Sequence, residues 1–299
     1  GAARPRAEAI ATELVFRGSG MSGHVTSAAI GGIPIANTDV KIADMAATPA
    51  VLAIKGGASG ALDDFLRFAA TTPVNGWLDG FLGAAHGTGN ARLAMSLTMP
   101  LDDATKTRLA GEFTMPGNTL ALGGDVPALA SVQGKLRFTM ASLSSDDIAA
   151  EAFGGPLRLT LATREGRIEA HARGSARLEK LREQFPFPLV DRLSGPATWE
   201  LDLRQARTAS ASSVGKPEKT AADEPVLQLK VSATPERWPL DAILTPADGR
   251  PSSAQPISAT VRRTLLDGGR DAVTLEVPGQ LHAIAERSAP TANATRTIE

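Results

Sequence analysis

The sequence predicts a mostly β protein, built on an antiparallel sheet that is apolar on one face only. Apolar and polar residues alternate along much of the chain, and successive side chains of a strand point to opposite faces. Strands of a parallel sheet are covered on both faces and would instead give continuous apolar runs. One stretch of the chain is also repeated, which favours a modular protein.

The alternation is clearest in six runs that carry an apolar side chain at every second position. They are residues 92–99, 136–140, 157–161, 199–203, 227–231 and 273–277. We predict that each run is a strand with one apolar and one polar face.

The repeat joins a glycine step to a strand and then to a short helix. Residues 31–34 lead to 51–66 in the first copy, and residues 154–157 lead to 166–181 in the second, roughly 115–123 residues further on. We therefore divide the chain into the end of a first unit with a short helix, a complete second unit with a short helix, and a divergent third unit. Their boundaries are 1–89, 90–195 and 196–299, with a polar loop at 208–225 and a frayed tail at 288–299 in the third.

Two segments have a helical pattern, and each occupies the same place in its repeat. Ser59 is predicted to cap the first helix and Ser175 the second. Clusters of Gly, Pro, Asn and Asp predict turns between strands, for example at residues 115–118 and 164–166.

Composition excludes several classes of function. The net charge is −1, so no basic field would attract nucleic acid, and we expect no nucleic-acid partner. The absence of Cys excludes disulfides and thiolate metal sites. No apolar run reaches the ~18 residues of a membrane span. We expect the chain to be an excerpt of a longer protein, because it starts without Met and runs directly into a patterned strand.

Residues 18–23 match G-x-G-x-x-G and follow a strand-like segment. A dinucleotide site needs a helix next, whose N-terminus holds the pyrophosphate. Residues 24–38 have no helical period, so a glycine-rich hairpin turn is the favoured interpretation. An enzyme that uses this loop remains an alternative, which nucleotide binding would test.

The remaining polar residues do not form a catalytic or metal signature. The pair Asp63-Asp64 fits the first turn of a helix, while the pairs at 102–103 and 146–147 fit turns. The four His are scattered without ligand spacing, and no nucleophile elbow occurs. We therefore predict no catalytic residue, no metal site, no cofactor and no enzymatic activity.

Several ordered motifs resemble the AsmA-like YhdP family of bacterial envelope proteins. They begin with Ala53 to Leu66 and continue through a strand that ends at Pro100-Leu101. Ala152 to Leu157 resembles the family's small-Gly-Gly-Pro step, and Leu193 to Trp199 resembles its repeat entry. The resemblance covers about half of the chain well and is looser from Thr208 onward.

The resemblance implies an elongated, curled antiparallel sheet that forms a taco-like apolar groove from repeats. It implies a periplasmic location, an N-terminal helix in the inner membrane that these residues lack, and a partner of unknown identity at the outer membrane. Family members are linked to phospholipid movement between the two membranes and to the outer-membrane barrier. Phospholipid acyl chains would occupy the groove, and these residues would line it: Leu93, Met95, Leu97, Leu136, Phe138, Leu157, Leu159, Leu161 and Leu201.

The apolar stripe has a second interpretation that needs no ligand. A structural β-solenoid or adhesin-like module would use the same alternation to build a dry, closed core, because large exposed apolar patches are rare in soluble proteins. Exposure along the stripe separates this alternative from a lipid groove.

Overall fold

The computed structural model describes residues 7–71, 81–123, 127–165, 167–184, 194–206, 226–233, 257–266, 270–277 and 281–288. These residues form sixteen strands of one antiparallel sheet and two short α-helices. The predicted mostly β fold with a few short helices is therefore confirmed. Tertiary contacts divide the chain into two compact units.

Unit 1 begins with a meander of nine strands. They are β1 Ala7–Arg17, β2 Gly20–Ile30, β3 Ile33–Ile42, β4 Val51–Ala61, β5 His86–Thr88, β6 Asn90–Pro100, β7 Arg108–Ala121, β8 Leu129–Thr139 and β9 Leu143–Ala152. Helix α1, Leu62–Ala70, follows β4 in the chain. Hydrogen bonding keeps the chain order from β1 to β9, except that β4 pairs with β6 and the short β5 pairs with β7.

Unit 2 contains the remaining strands and the second helix. They are β10 Gly155–Arg164, β11 Arg167–Arg177, α2 Leu178–Gln184, β12 Pro196–Ala206, β13 Val226–Ala233, β14 Ile257–Leu266, β15 Arg270–Val277 and β16 Leu281–Ser288. Residues 155–157 of β10 belong to unit 2, while 158–164 belong to unit 1. From β10 to β16 the strands again pair in chain order.

The predicted alternating runs lie on strands β6, β8, β10, β12, β13 and β15, except that Met140 follows the end of β8. The predicted loop at 208–225 lies outside the described residues. So does the predicted tail, except for Ser288, which ends β16.

The predicted caps are wrong, because both serines lie in strands just before their helices. Ser59 lies inside β4 opposite Arg92 of β6, and the helix begins only at Leu62, with Ala61 as an N-cap that makes no side-chain hydrogen bond. Ser175 likewise lies inside β11, before α2. The reason is that the antiparallel pairing continues to Ala61 and Arg177, so each helix starts where the ladder ends.

The turn predicted at residues 115–118 is also wrong, because these residues lie within β7. The register with β8 shifts between Pro116 and Asn118, and Gly117 has a φ of 130°. The Pro-Gly-Asn cluster therefore forms a β-bulge, which accommodates an extra residue and a left-handed glycine within a strand. Of the turn predicted at 164–166, Glu165 lies in a turn directly after β10, and Gly166 lies outside the described residues.

Candidate functional site: the apolar face of the sheet

The apolar face of unit 1 runs across β6, β7 and β8. Residues directly opposite each other on neighbouring strands share a face. Leu93 lies opposite Phe113, which lies opposite Leu136. Further along β6, Leu97 lies opposite Leu109. The register thus brings predicted lining residues from separate strands onto one face.

Glycines on this face lie beneath large apolar side chains. Met95 lies opposite Gly111, which lies opposite Phe138. A methyl group at Gly111 would sit 2.4 Å from Cζ of Phe138, so the ring lies over the glycine. On β2, a methyl group at Gly23 would sit 2.7 Å from Cδ2 of Leu14. Sequence reasoning did not place Gly111 or Gly23 on this face, although a glycine inside an alternating strand marks a place of close approach.

Burial of the apolar face of unit 1 is most complete next to α1. At the end next to α1, Leu62 is 1% exposed and Ala91 is fully buried. At the opposite end, which we call the open end, Phe16 on β1 is 61% exposed and Leu101, just after β6, is 52% exposed. Met95 and Leu97 lie between these extremes and are half-buried. The described residues therefore cover the face next to α1, while away from it the apolar side chains range from buried Ile42 through half-buried Met95 to exposed Phe16.

Unit 2 has its own apolar face. Trp199 lies opposite Gly174 and Leu201 lies opposite Ala172. The Trp199 ring packs edge-on against Phe153, with ring centroids 5.9 Å apart, and its Nε1 donates a hydrogen bond to the Ser175 carbonyl at 3.3 Å.

The remaining predicted lining residues differ in burial. Leu157 is buried, and a methyl group at Gly174 would sit 2.9 Å from its Cβ. Leu159, Leu161 and Leu201 are half-buried on β10 and β12. Contact of the nine residues with acyl chains stays a prediction.

The polar face of unit 1 carries a chain of ion pairs across β7, β8 and β9. Lys135 lies 2.8 Å from Glu112, Arg137 lies 3.6 Å from Glu112, and Arg137 lies 2.8 Å from Asp146. The hydrogen bond from Lys135 holds the pKa of Glu112 below its usual value. Asp146 raises the pKa of Arg137. Charged side chains thus keep this face in water, opposite the apolar face.

The first two acidic pairs have the structural roles that were predicted. Asp63 and Asp64 lie in the first turn of α1 and pair with Arg67, where negative charge suits the helix dipole. Asp103 caps the 3₁₀ turn Ala104–Lys106 by accepting from the Thr105 amide at 3.0 Å.

The third acidic pair is not in a turn, which corrects the prediction. Asp146 and Asp147 lie within β9, where a register shift opposite β8 leaves both side chains exposed. Asp147 pairs with Arg158 at 2.5 Å, while Asp146 pairs with Arg137. A β-bulge explains how two successive strand residues can both face water.

Two histidines form cross-strand pairs with carboxylates. His24 Nδ1 lies 2.8 Å from Asp39, and His171 Nδ1 lies 2.8 Å from Asp202, both on exposed positions. Within the described part of the chain, no group of three His, Cys, Asp or Glu side chains could hold a metal ion.

The glycine-rich motif at residues 18–23 forms a hairpin turn, as favoured from the sequence. Gly18 has a φ of 57°, and strand β2 begins at Gly20. A phosphate-binding loop of the dinucleotide type would be followed by a helix, whereas here β2 continues to Ile30.

These features define a class of protein: a meander sheet with one polar face and one aliphatic face, the latter covered by a helix at one end. The family model described as YhdP protein matches residues 4–262 of the chain. The chain therefore belongs to the YhdP family, which is associated with the bacterial envelope.

The search of curated proteins finds no match, and neither does the search of solved structures. Among the described residues, no helix is long and apolar enough to cross a membrane.

Proposed function

We propose that the aliphatic face binds the acyl chains of phospholipids and carries them between the inner and outer membranes. The observation that supports this most directly is the set of large apolar side chains that the described residues leave exposed, among them Leu14, Phe16 and Leu101. Large exposed apolar patches in soluble proteins usually mark a binding surface. Membership of the YhdP family supports a lipid-transfer role in the envelope.

Exposure of phospholipid acyl chains to water has a large free-energy cost, which an apolar face would avoid. Each acyl CH₂ group exposed to water costs about 0.8 kcal/mol, so two chains of sixteen carbons would cost on the order of 25 kcal/mol. Leu, Met and Phe side chains such as Leu97, Met95 and Phe138 offer apolar contact without unpaired hydrogen-bonding groups. Head groups can stay in water, so the net charge of −1 is compatible with this ligand.

In this proposal the chain is a non-enzymatic part of a periplasmic bridge. It works without a cofactor and supports the outer-membrane barrier. It is attached to the inner membrane and contacts a partner at the outer membrane. The scattered His and the structural roles of Asp63, Asp64 and Asp103 agree with a binding role.

The test compares two neighbouring positions on β6. A photocrosslinking amino acid at Leu97 faces the apolar side, and the same residue at Ser96, exposed on the polar side, is the matched control. After irradiation of cells that express the full chain, we expect phospholipid attached at position 97 and none at position 96.

Native mass spectrometry of the purified protein gives an independent readout of bound phospholipid. Absence of lipid in both measurements would overturn the proposal and favour the structural module with a dry, closed core.

A further inference from the structure

Helix α1 lies across the apolar face at the ends of the strands. Phe65 is buried, and its ring packs edge-on against Phe113 of β7 with centroids 5.1 Å apart. Leu93 and Leu120 pack against the same cluster of Ile33, Leu62, Phe65 and Ala91. These side chains are therefore in contact with protein on the side of the face that α1 covers.

The two ends of α1 contact different parts of unit 1. At its start, a methyl group at Gly87 would sit 2.5 Å from Cδ2 of Leu62. At its end, a methyl group at Gly31, in the turn between β2 and β3, would sit 3.0 Å from Cδ2 of Phe68. The helix therefore extends from β5 to the β2–β3 turn, along one rim of the face.

One backbone and one side-chain hydrogen bond fix the start of α1 to the returning chain. The Leu62 amide donates to the Gly89 carbonyl at 2.8 Å, and the Gly87 amide donates to Oδ1 of Asp63 at 3.4 Å. With Leu62 and Phe65 buried as well, the helix is an integral part of the core and not a detachable lid.

Unit 2 repeats this construction. The Leu178 amide donates to the Gly195 carbonyl at 3.0 Å, and the Gly195 amide donates to Oε1 of Glu179 at 3.3 Å. Leu178 and Leu181 of α2 are buried. In both units the second residue of the helix is an acid that accepts from a glycine amide, so the same anchoring has been built twice.

We propose that α1 is a fixed wall that limits which part of the apolar face acyl chains can reach. The inference rests on the proposed function. Acyl chains contact the open side of the wall, at Met95, Leu97 and Leu109, and do not reach Leu120 or Phe113. The wall thus sets the side toward which head groups must project, which is the open end of the strands.

The test uses a phospholipid with a diazirine on one acyl chain and the unmodified full chain. Crosslinked residues are identified by mass spectrometry of peptides. Leu97 and Leu120 are a matched pair, because both are half-buried leucines on the apolar face of unit 1. We expect crosslinks at 97 and 109 and none at 120.

A Phe65→Leu variant, and separately Phe65→Ala, should weaken the wall and bring crosslinks to positions 93 and 120. Equal labelling of Leu97 and Leu120 in the unmodified chain would contradict the inference that α1 acts as a wall. It would leave the proposed lipid function intact. No labelling of either residue would contradict the lipid function itself. Labelling that stays at 97 and 109 in folded Phe65→Ala protein would show that α1 is not what limits access.

Discussion

Gly89 carries the chain from β5 into β6 in a conformation that other residues rarely adopt. Its φ is 87°, and a methyl group there would sit 2.8 Å from Nδ2 of Asn118. Asn118 is buried and donates to the carbonyls of Thr88 and Asn90. The glycine therefore allows both the turn and the amide contacts that hold it.

Replacement of Gly89 by Ala should lower the free energy of unfolding by about 1–3 kcal/mol, because the new residue would be strained and would displace Asn118. Gly83→Ala is the control, since no atom lies within 4 Å of the position of its methyl group; its effect should stay within about 0.5 kcal/mol. Urea unfolding followed by circular dichroism measures both. Equal stability of the two variants would contradict the structural role assigned to Gly89.

Glu112 should make stability depend on pH. Its pKa lies below the ordinary value of 4.5 when folded, chiefly because Lys135 donates a hydrogen bond to it. A group with a lowered folded pKa contributes stability above its unfolded pKa and loses that contribution as pH falls through the folded value.

Between pH 6 and pH 3 the melting temperature of the Glu112→Gln variant should therefore fall less than that of the unmodified protein. Thermal unfolding followed at several pH values measures this difference. Glu165→Gln, a change in the β10–β11 turn, is the control and should follow the unmodified protein. A steeper fall for Glu112→Gln would contradict a stabilising role for the ionised Glu112 carboxylate.

At the scale of elements, α1 is defined by the face that it buries. Phe65→Ala should cost about 3–5 kcal/mol, the range for removal of a buried aromatic ring. Arg67→Ala on the exposed side should cost less than about 1 kcal/mol, because its ion pairs with Asp63 and Asp64 are in contact with water. Chemical denaturation separates these outcomes, and similar costs would show that α1 does not pack as described.

Strands were the elements that the sequence could predict well, because alternation depends only on residues within one segment. Helix starts were not predictable to the residue: Ser59 and Ser175 have good capping chemistry, but the pairing of β4 with β6 and of β11 with β12 carries the strands past them. The bulges at Pro116 and at Asp146 depend on the register with β8. Because contacts with the partner strand set this register, the local sequence pattern does not reveal it.

The candidate site was predictable in part for the same reason. Alternation identified Leu97 and Phe138 as facing one side, but it could not show that Phe138 covers Gly111 or that Leu93 packs beneath α1. The first fact arises from the register between β7 and β8, and the second arises from the packing of α1 on β6.

At the scale of the whole molecule, an aliphatic face that binds acyl chains should make stability depend on lipid. Added phospholipid should raise the melting temperature, since a ligand at 100 times its Kd stabilises the folded state by about 2.7 kcal/mol. Glycerophosphocholine, which has a head group and no acyl chains, is the control and should have no effect. Differential scanning fluorimetry checks this, and equal shifts from both compounds would contradict binding through acyl chains.

The pairing of strands in chain order also bears on how the polypeptide folds. Apart from β5 and β6, each new strand pairs with the strand before it, so little loop entropy is lost at most steps. Low sequence separation between contacting residues favours rapid folding. A meander of this kind can grow by one hairpin at a time as residues emerge, and assembly of β1 to β4 need not wait for the synthesis of β16.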